Sequence, residues 1–140
     1  MSQAREAIYR AMIEENGMPK LGATATSLGI RRDKDIAPDR KGMVRRPAFQ
    51  PGAANGLSCA PLVQLLPRFA LPTAWGGVNQ RTSVWMIEST RLGVDLVSQE
   101  DTVPGGRRHI SIGPATTMTF EEFVRAIEAT RPEWKKVLKN

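Results

Sequence analysis

The chain contains one histidine, His109, and one cysteine, Cys59, and these two side chains limit the chemistry open to it. A cysteine nucleophile needs a base beside it to become a thiolate. Here the two residues lie in distant parts of the sequence with no local motif joining them. A lone cysteine is by default a small buried hydrophobe, and a lone histidine on a strand is ordinarily a satisfied polar residue. One cysteine cannot form an internal disulfide, and with one histidine it is too small a donor set for a structural zinc, so no metal is expected. The phosphate cradles GxxxxGK(S/T) and GxGxxG are missing, as is the GxSxG nucleophile elbow. No pair of carboxylates stands at an identifiable catalytic spacing.

Charge is the next signal. Net charge is +6, and the segment Arg31 to Arg46 holds seven basic residues against Asp33, Asp35 and Asp39. Arg107-Arg108 and Lys135, Lys136 and Lys139 form two further clusters. Clustered cations attract phosphate, whether in a nucleotide, a nucleic acid or an acidic partner. A non-enzymatic basic module that binds an acidic protein or RNA is therefore one reading. Aromatic residues make up only 6% and none lies in the basic segment. A single-strand binding surface would interleave them with the cations, so nucleic acid is possible but not favoured.

The elements that must position these residues fit a single domain over 1–140, the usual scale for ~100–200 residues. Hydrophobic residues are 41%, and Gly and Pro number 12 and 10, which implies many turns. The most apolar run, Ala60 to Leu71, is broken by Gln64, Pro67 and Arg68, so no membrane span is expected. The opening residues lack the apolar core of a signal peptide, and a soluble cytoplasmic protein is expected. Near the N-terminus Ala4, Ala7, Ile8, Ala11 and Met12 recur at helical spacing, while Ile8, Arg10 and Met12 also alternate as a strand would. Periodicity favours the helix. Residues Gly17 to Gly56 are rich in turns, with Thr24 to Ile30 a strand or a helical turn. Gly56 to Pro61 is a small, close-packing element. Thr82 to Glu88 reads as a strand, Val94 to Ser98 as a second, and Arg108 to Ile112 as a half-buried third after the Pro104-Gly105-Gly106 turn. Thr119 with Glu122 makes a capping box, Met118 and Phe123 a hydrophobic staple, and Phe120, Phe123, Val124 and Ile127 an apolar stripe on a C-terminal helix limited by Pro132.

Four segments taken in order carry a family likeness: Ile8 to Met12 (IYRAM), Asn55 to Pro61 (NGLSCAP), Ser83 to Gln99, and Arg108 to Met118 (RHISIGPATTM) followed by the Phe-containing helix. This succession resembles the type VI secretion effector toxins with an ADP-ribosyltransferase-like fold. The resemblance implies an α+β domain in which twisted antiparallel sheets surround an NAD cleft, with a C-terminal helix. It makes Tyr9 to Ile13 a strand, against the periodicity. It further implies a bacterial toxin that uses NAD as substrate to ADP-ribosylate a cytoplasmic macromolecule, or hydrolyses NAD, together with a cognate immunity protein as partner. Arg10, Ser58 and His109 match the catalytic positions. Tyr9, Arg10, Gly56, Ser58 and Ser83 match the NAD-binding ones, with Thr82-Ser83 competing with Ser58 for the hydroxyl role. The family's strand glutamate is missing from His109 to Ile112, and Glu88 is the candidate to approach from a neighbouring strand.

Overall fold

A computed structural model describes residues 6–22, 29–47, 55–103 and 106–139. In chain order the elements are β1 (Ala7–Glu15), β2 (Met18–Pro19), β3 (Met43–Val44), β4 (Leu57–Cys59), β5 (Thr82–Glu88), β6 (Leu96–Val103), β7 (Arg107–Pro114), β8 (Met118–Thr119), α1 (Phe120–Glu128) and β9 (Lys135–Val137). Short 3-10 turns fill several of the connections. Among the described residues the class is α+β: every strand pairing is antiparallel, and one α-helix follows near the C-terminus.

One sheet has the order β2-β1-β5-β9, a second β4-β7-β6, and a two-stranded ribbon joins β3 to β8. The N-terminal segment is a strand, which corrects the helix favoured by periodicity. Ile8 and Met12 are buried on one face of β1 and Ala11 on the other. A strand buried on both faces carries apolar residues at helical as well as alternating spacings, so its pattern is ambiguous by itself. Pairing with β5 decides it, in a register that sets Ala7 opposite Glu88 and Ile13 opposite Thr82. The second expected strand begins at Leu96; Val94 is 93% exposed in the turn before it. β7 does not alternate as expected. Ile110, Ser111 and Ile112 are all buried, because both faces of this central strand are covered. Residues 24–28 of the expected Thr24 to Ile30 element lie outside the described residues.

The helix forms where its cap dictates. Thr119 Oγ1 accepts from the Glu122 amide at 3.0 Å, and Glu122 Oε1 accepts from the Thr119 amide at 3.0 Å. Phe120, Phe123 and Ile127 then face inward. They join Ile8, Met12, Trp85, Ile87, Ile110 and Ile112 in the main core. At ~1.5–3 kcal/mol per large apolar side chain fully buried, this layer is what holds the two sheets against each other. A smaller cluster, Ala11, Ala60, Val63, Leu66, Ala70, Leu71 and Val84, packs the 60–71 segment against β1 and β5. Lys135 and Lys136, read from sequence as a charge cluster, lie instead on β9, where Lys136 pairs with Glu14 and stacks 5.8 Å from the Trp85 ring.

Candidate functional site

Among the described residues a backbone bridge joins the two larger sheets at Tyr9 and Ala60. Tyr9 of β1 donates to the Ala60 carbonyl at 2.8 Å, and Ala60 returns a bond to the Tyr9 carbonyl at 2.9 Å. Side chains alternate along a strand, so Arg10 leaves β1 on the face that carries Ile8 and Met12. Its Nη1 donates to the Ser58 carbonyl of β4, and its Nη2 to the Gly29 carbonyl at 3.4 Å. Burial pulls the Arg10 guanidinium below its ordinary range, while Cys59 and Asp35 act in the opposite sense and Arg31 in the same one.

Ser58 lies opposite Ser111 in the β4–β7 pairing. Its hydroxyl crosses diagonally to His109, with Oγ 2.6 Å from Nε2. His109 in turn lies opposite Asp101 in the β6–β7 pairing, and its Nδ1 is 2.6 Å from Asp101 Oδ1. The other carboxylate oxygen accepts from Ser111 Oγ and from Asn55 Nδ2, each at 3.0 Å. A carboxylate accepts only, so the His109 Nδ1 carries the proton given to Asp101. In the tautomer that carries this proton on Nδ1 alone, Nε2 is the acceptor for the Ser58 hydroxyl. Only 14% of the His109 side chain and 5% of Asp101 is exposed, so both bonds are shielded from water.

Ser58 and Arg10 also line a small open cleft between β1, β4 and the 66–70 segment, with a cavity volume of about 100 Å³. Arg31, Asp35 and Gly29 complete the polar side, and Leu66, Pro67, Phe69 and Ala70 form an apolar wall. Asp35 grips Arg31 through two side-chain bonds of 3.2 and 3.1 Å and accepts from its amide at 2.6 Å. That clamp raises the Arg31 guanidinium above its ordinary range and leaves it 44% exposed at the cleft.

Of the residues singled out from sequence, Arg10, Ser58 and His109 thus form one connected chain. His109 does not line the cleft; it stands behind Ser58 and reaches the cleft through it. Gly56, with φ +133°, lets β4 run hard against the Ile112 and Gly113 backbone of β7. Tyr9 packs with the smaller apolar cluster and is not among the cleft-lining residues. Ser83 lies on β5, paired with Met12 of β1, and is likewise not among the cleft-lining residues. Glu88 lies at the far end of β5 opposite Ala7, beside a separate hollow with Met86, Arg91, Glu133 and Lys135. It is therefore not the cleft's acid; that carboxylate is Asp35.

Cys59 is buried and its thiol is pushed up to about 12 by burial, which keeps it protonated and unreactive. The basic segment is partly matched from within: Arg31 by Asp35, Arg45 by Asp39 at 3.3 Å, and Arg32 by the Phe120 ring at 5.2 Å. Among the described residues no cluster of His, Cys, Asp and Glu could hold a metal, and no helix is long and apolar enough to cross a membrane.

Asp101 and Ser111 were not singled out from sequence, while Arg31 and Asp35 were read only as part of the basic segment and Asn55 only as the start of the NGLSCAP segment. For Asp101 a signal existed. A hairpin centred on the expected Pro104-Gly105-Gly106 turn sets position 101 opposite 109, the register observed. Compared with protein-family models, curated proteins and solved structures, the chain matches none.

Proposed function

We propose that the chain is an NAD-dependent mono-ADP-ribosyltransferase, a bacterial antagonistic toxin acting on a macromolecule in the target cell's cytoplasm. In this reading the two twisted sheets form an ADP-ribosyltransferase-like fold with NAD held where they part. The observation that carries it is the continuous contact of Arg10, Ser58 and His109, the first two of which line one cleft. Those three residues come from segments far apart in the chain, and the likeness to the toxin family had singled them out together.

The chemistry asked of the site is cleavage of the bond between nicotinamide and ribose through an oxocarbenium-like state. Two guanidinium groups, Arg10 and Arg31, line the cleft and match the two charges of a diphosphate. The apolar wall at Leu66, Pro67 and Phe69 takes the nicotinamide ring, and the Ser58 hydroxyl meets the ribose. Asp35 contributes the negative charge that favours a developing ribosyl cation, since fixed charges in a sheltered site act strongly on charge that appears in the transition state. Transfer to water instead of a macromolecule makes the same site an NAD glycohydrolase. The partner expected beside the acceptor is an acidic immunity protein that closes the cleft, complementary to the net charge of +6.

Nicotinamide release from NAD by the purified chain, with and without cell extract, tests this reading. Turnover is expected in the unaltered protein and a fall of about 100-fold or more in Arg10→Lys, where the planar fork is lost. Absence of both nicotinamide release and NAD binding by the folded protein refutes it.

A further inference from the structure

The order Ser58, His109, Asp101 has a chemical meaning that does not depend on NAD. An imidazole whose Nδ1 is tied to a carboxylate and whose Nε2 receives a serine hydroxyl is the arrangement that generates a serine nucleophile. Both contacts, at 2.6 Å, lie within the reach required of a general base and its orienting group. His109 is placed to act on Ser58 and on nothing else in the cleft, because Ser58 lines the cleft and His109 does not. Asp101 is itself pinned by Ser111 and Asn55, so the ring's orientation is fixed before any substrate arrives. The Arg10 guanidinium donates to the Ser58 and Gly29 carbonyls and lines the same cleft, which fixes the backbone that carries the nucleophile and sets a positive charge in the cleft wall.

We propose that Ser58 is a base-activated nucleophile and that the cleft carries out acyl transfer on esters whose acid part bears an anionic group. In the first half-reaction Ser58 Oγ bonds to the ester carbonyl carbon while its proton passes to His109 Nε2. The tetrahedral adduct then expels the alcohol, whose oxygen takes back that proton as the carbon–oxygen bond breaks. Water attacks the acyl-serine in the same way, giving its proton to His109 and then releasing the acid and free Ser58. Asp101 is a positioning residue, acting only through the His109 ring. Arg31, exposed at the cleft and held by Asp35, selects the anionic substituent, and the wall formed by Leu66 and Phe69 takes the apolar part of the acyl chain.

The test uses the whole chain and a fluorophosphonate probe, which loses fluoride as its phosphorus bonds to an activated serine. One probe per folded molecule is expected at Ser58, read by intact mass and peptide mapping, with no labelling in Ser58→Ala. Labelling is expected to slow by at least about 100-fold in His109→Gln, the loss of a general base. The near-isosteric Asp101→Asn should slow it comparably and also change the tautomer of the sole histidine by ¹⁵N NMR, a readout that a purely structural role would not move. Hydrolysis of a p-nitrophenyl ester bearing a distal carboxylate should exceed that of the neutral ester of equal length, and Arg31→Gln should abolish that preference. An unaltered folded protein that takes up no more probe than heat-denatured protein overturns the proposal, as does equal labelling of His109→Gln. The probe contains no nucleotide, so its result and that of the NAD assay can fail independently.

Discussion

Gly56→Ala is the substitution that most directly couples the fold to the site. An added Cβ at this position would lie 2.0 Å from the Ile112 carbonyl oxygen, 2.7 Å from the Ile112 carbonyl carbon and 2.9 Å from the Gly113 Cα. All three are backbone atoms of β7, so no side chain can rotate away. Reaching even a 3.0 Å contact requires the backbones to part by about 1 Å from the 2.0 Å approach to the Ile112 carbonyl oxygen. The backbone adds a second cost, because a φ of +133° is one that alanine rarely adopts. Strain of this kind costs about 1–3 kcal/mol, and forcing extra volume into a packed site about 1–3 more. The expected loss is therefore ~2–6 kcal/mol, a large part of the ~5–15 kcal/mol that keeps an ordinary domain folded. Gly93→Ala is the matched control: its φ is +89° but nothing lies within 4 Å of the added carbon, so only ~1–2 kcal/mol of backbone strain applies. Urea unfolding of the two variants separates the terms, and with slopes of about 1–3 kcal/mol per molar the midpoint of Gly56→Ala should fall clearly below that of Gly93→Ala. Because β4 carries Ser58 and β7 carries His109, probe labelling or NAD turnover should fall with it even where Gly56→Ala remains folded. Equal midpoints for the two variants would refute the account of strand approach at Gly56.

Three further outcomes are expected. The ¹⁵N spectrum of the uncharged His109 ring should show the Nδ1-protonated tautomer; the opposite tautomer would contradict the network through Asp101 and Ser58. Thr130→Val should cost about 1–3 kcal/mol by leaving the buried Trp134 indole N–H without the hydroxyl that now accepts from it at 2.9 Å; a loss below a few tenths by urea unfolding would argue against that role. Acid should destabilise the fold through Asp39, Glu100 and Glu122, which the amides of Met43 and Lys41, the Arg108 guanidinium and the Thr119 amide respectively hold below the ordinary carboxylate range. A folded value below the unfolded one gives stability that is complete above the unfolded value near ~4 and is lost as pH falls through the folded one, so Tm should drop between pH 5 and pH 3, and a flat profile would speak against it.

What the sequence made legible follows the range of the interactions involved. Thr119 and Glu122 announce α1 because each satisfies the other's backbone three positions away, and no distant residue is needed to complete the cap. Thr82 to Glu88 is legible for a similar reason, its β-branched and aromatic residues suiting an extended chain wherever that chain lies. β9 was hidden because Lys135 and Lys136 have the composition of a solvated tail; only pairing with β5 and the flat face of Trp85 make them a strand. The site lies between these extremes. Arg10, Ser58 and His109 were grouped only through the family likeness; neither their types nor their spacing joins them, since their contacts depend on β1 meeting β4 at Tyr9 and Ala60 and on β4 pairing with β7. Asp101 was the reverse case, readable from hairpin arithmetic yet ordinary as a type on a strand edge. The polar chain collects where the sheets diverge for a physical reason. Once β1 turns away, the Ser58 carbonyl has a side-chain donor, Arg10, on the side where a strand amide would otherwise complete the ladder. A backbone acceptor that must be satisfied thereby draws a guanidinium to the mouth of a cleft. The same divergence that calls for a cation opens the space in which that cation can meet a ligand.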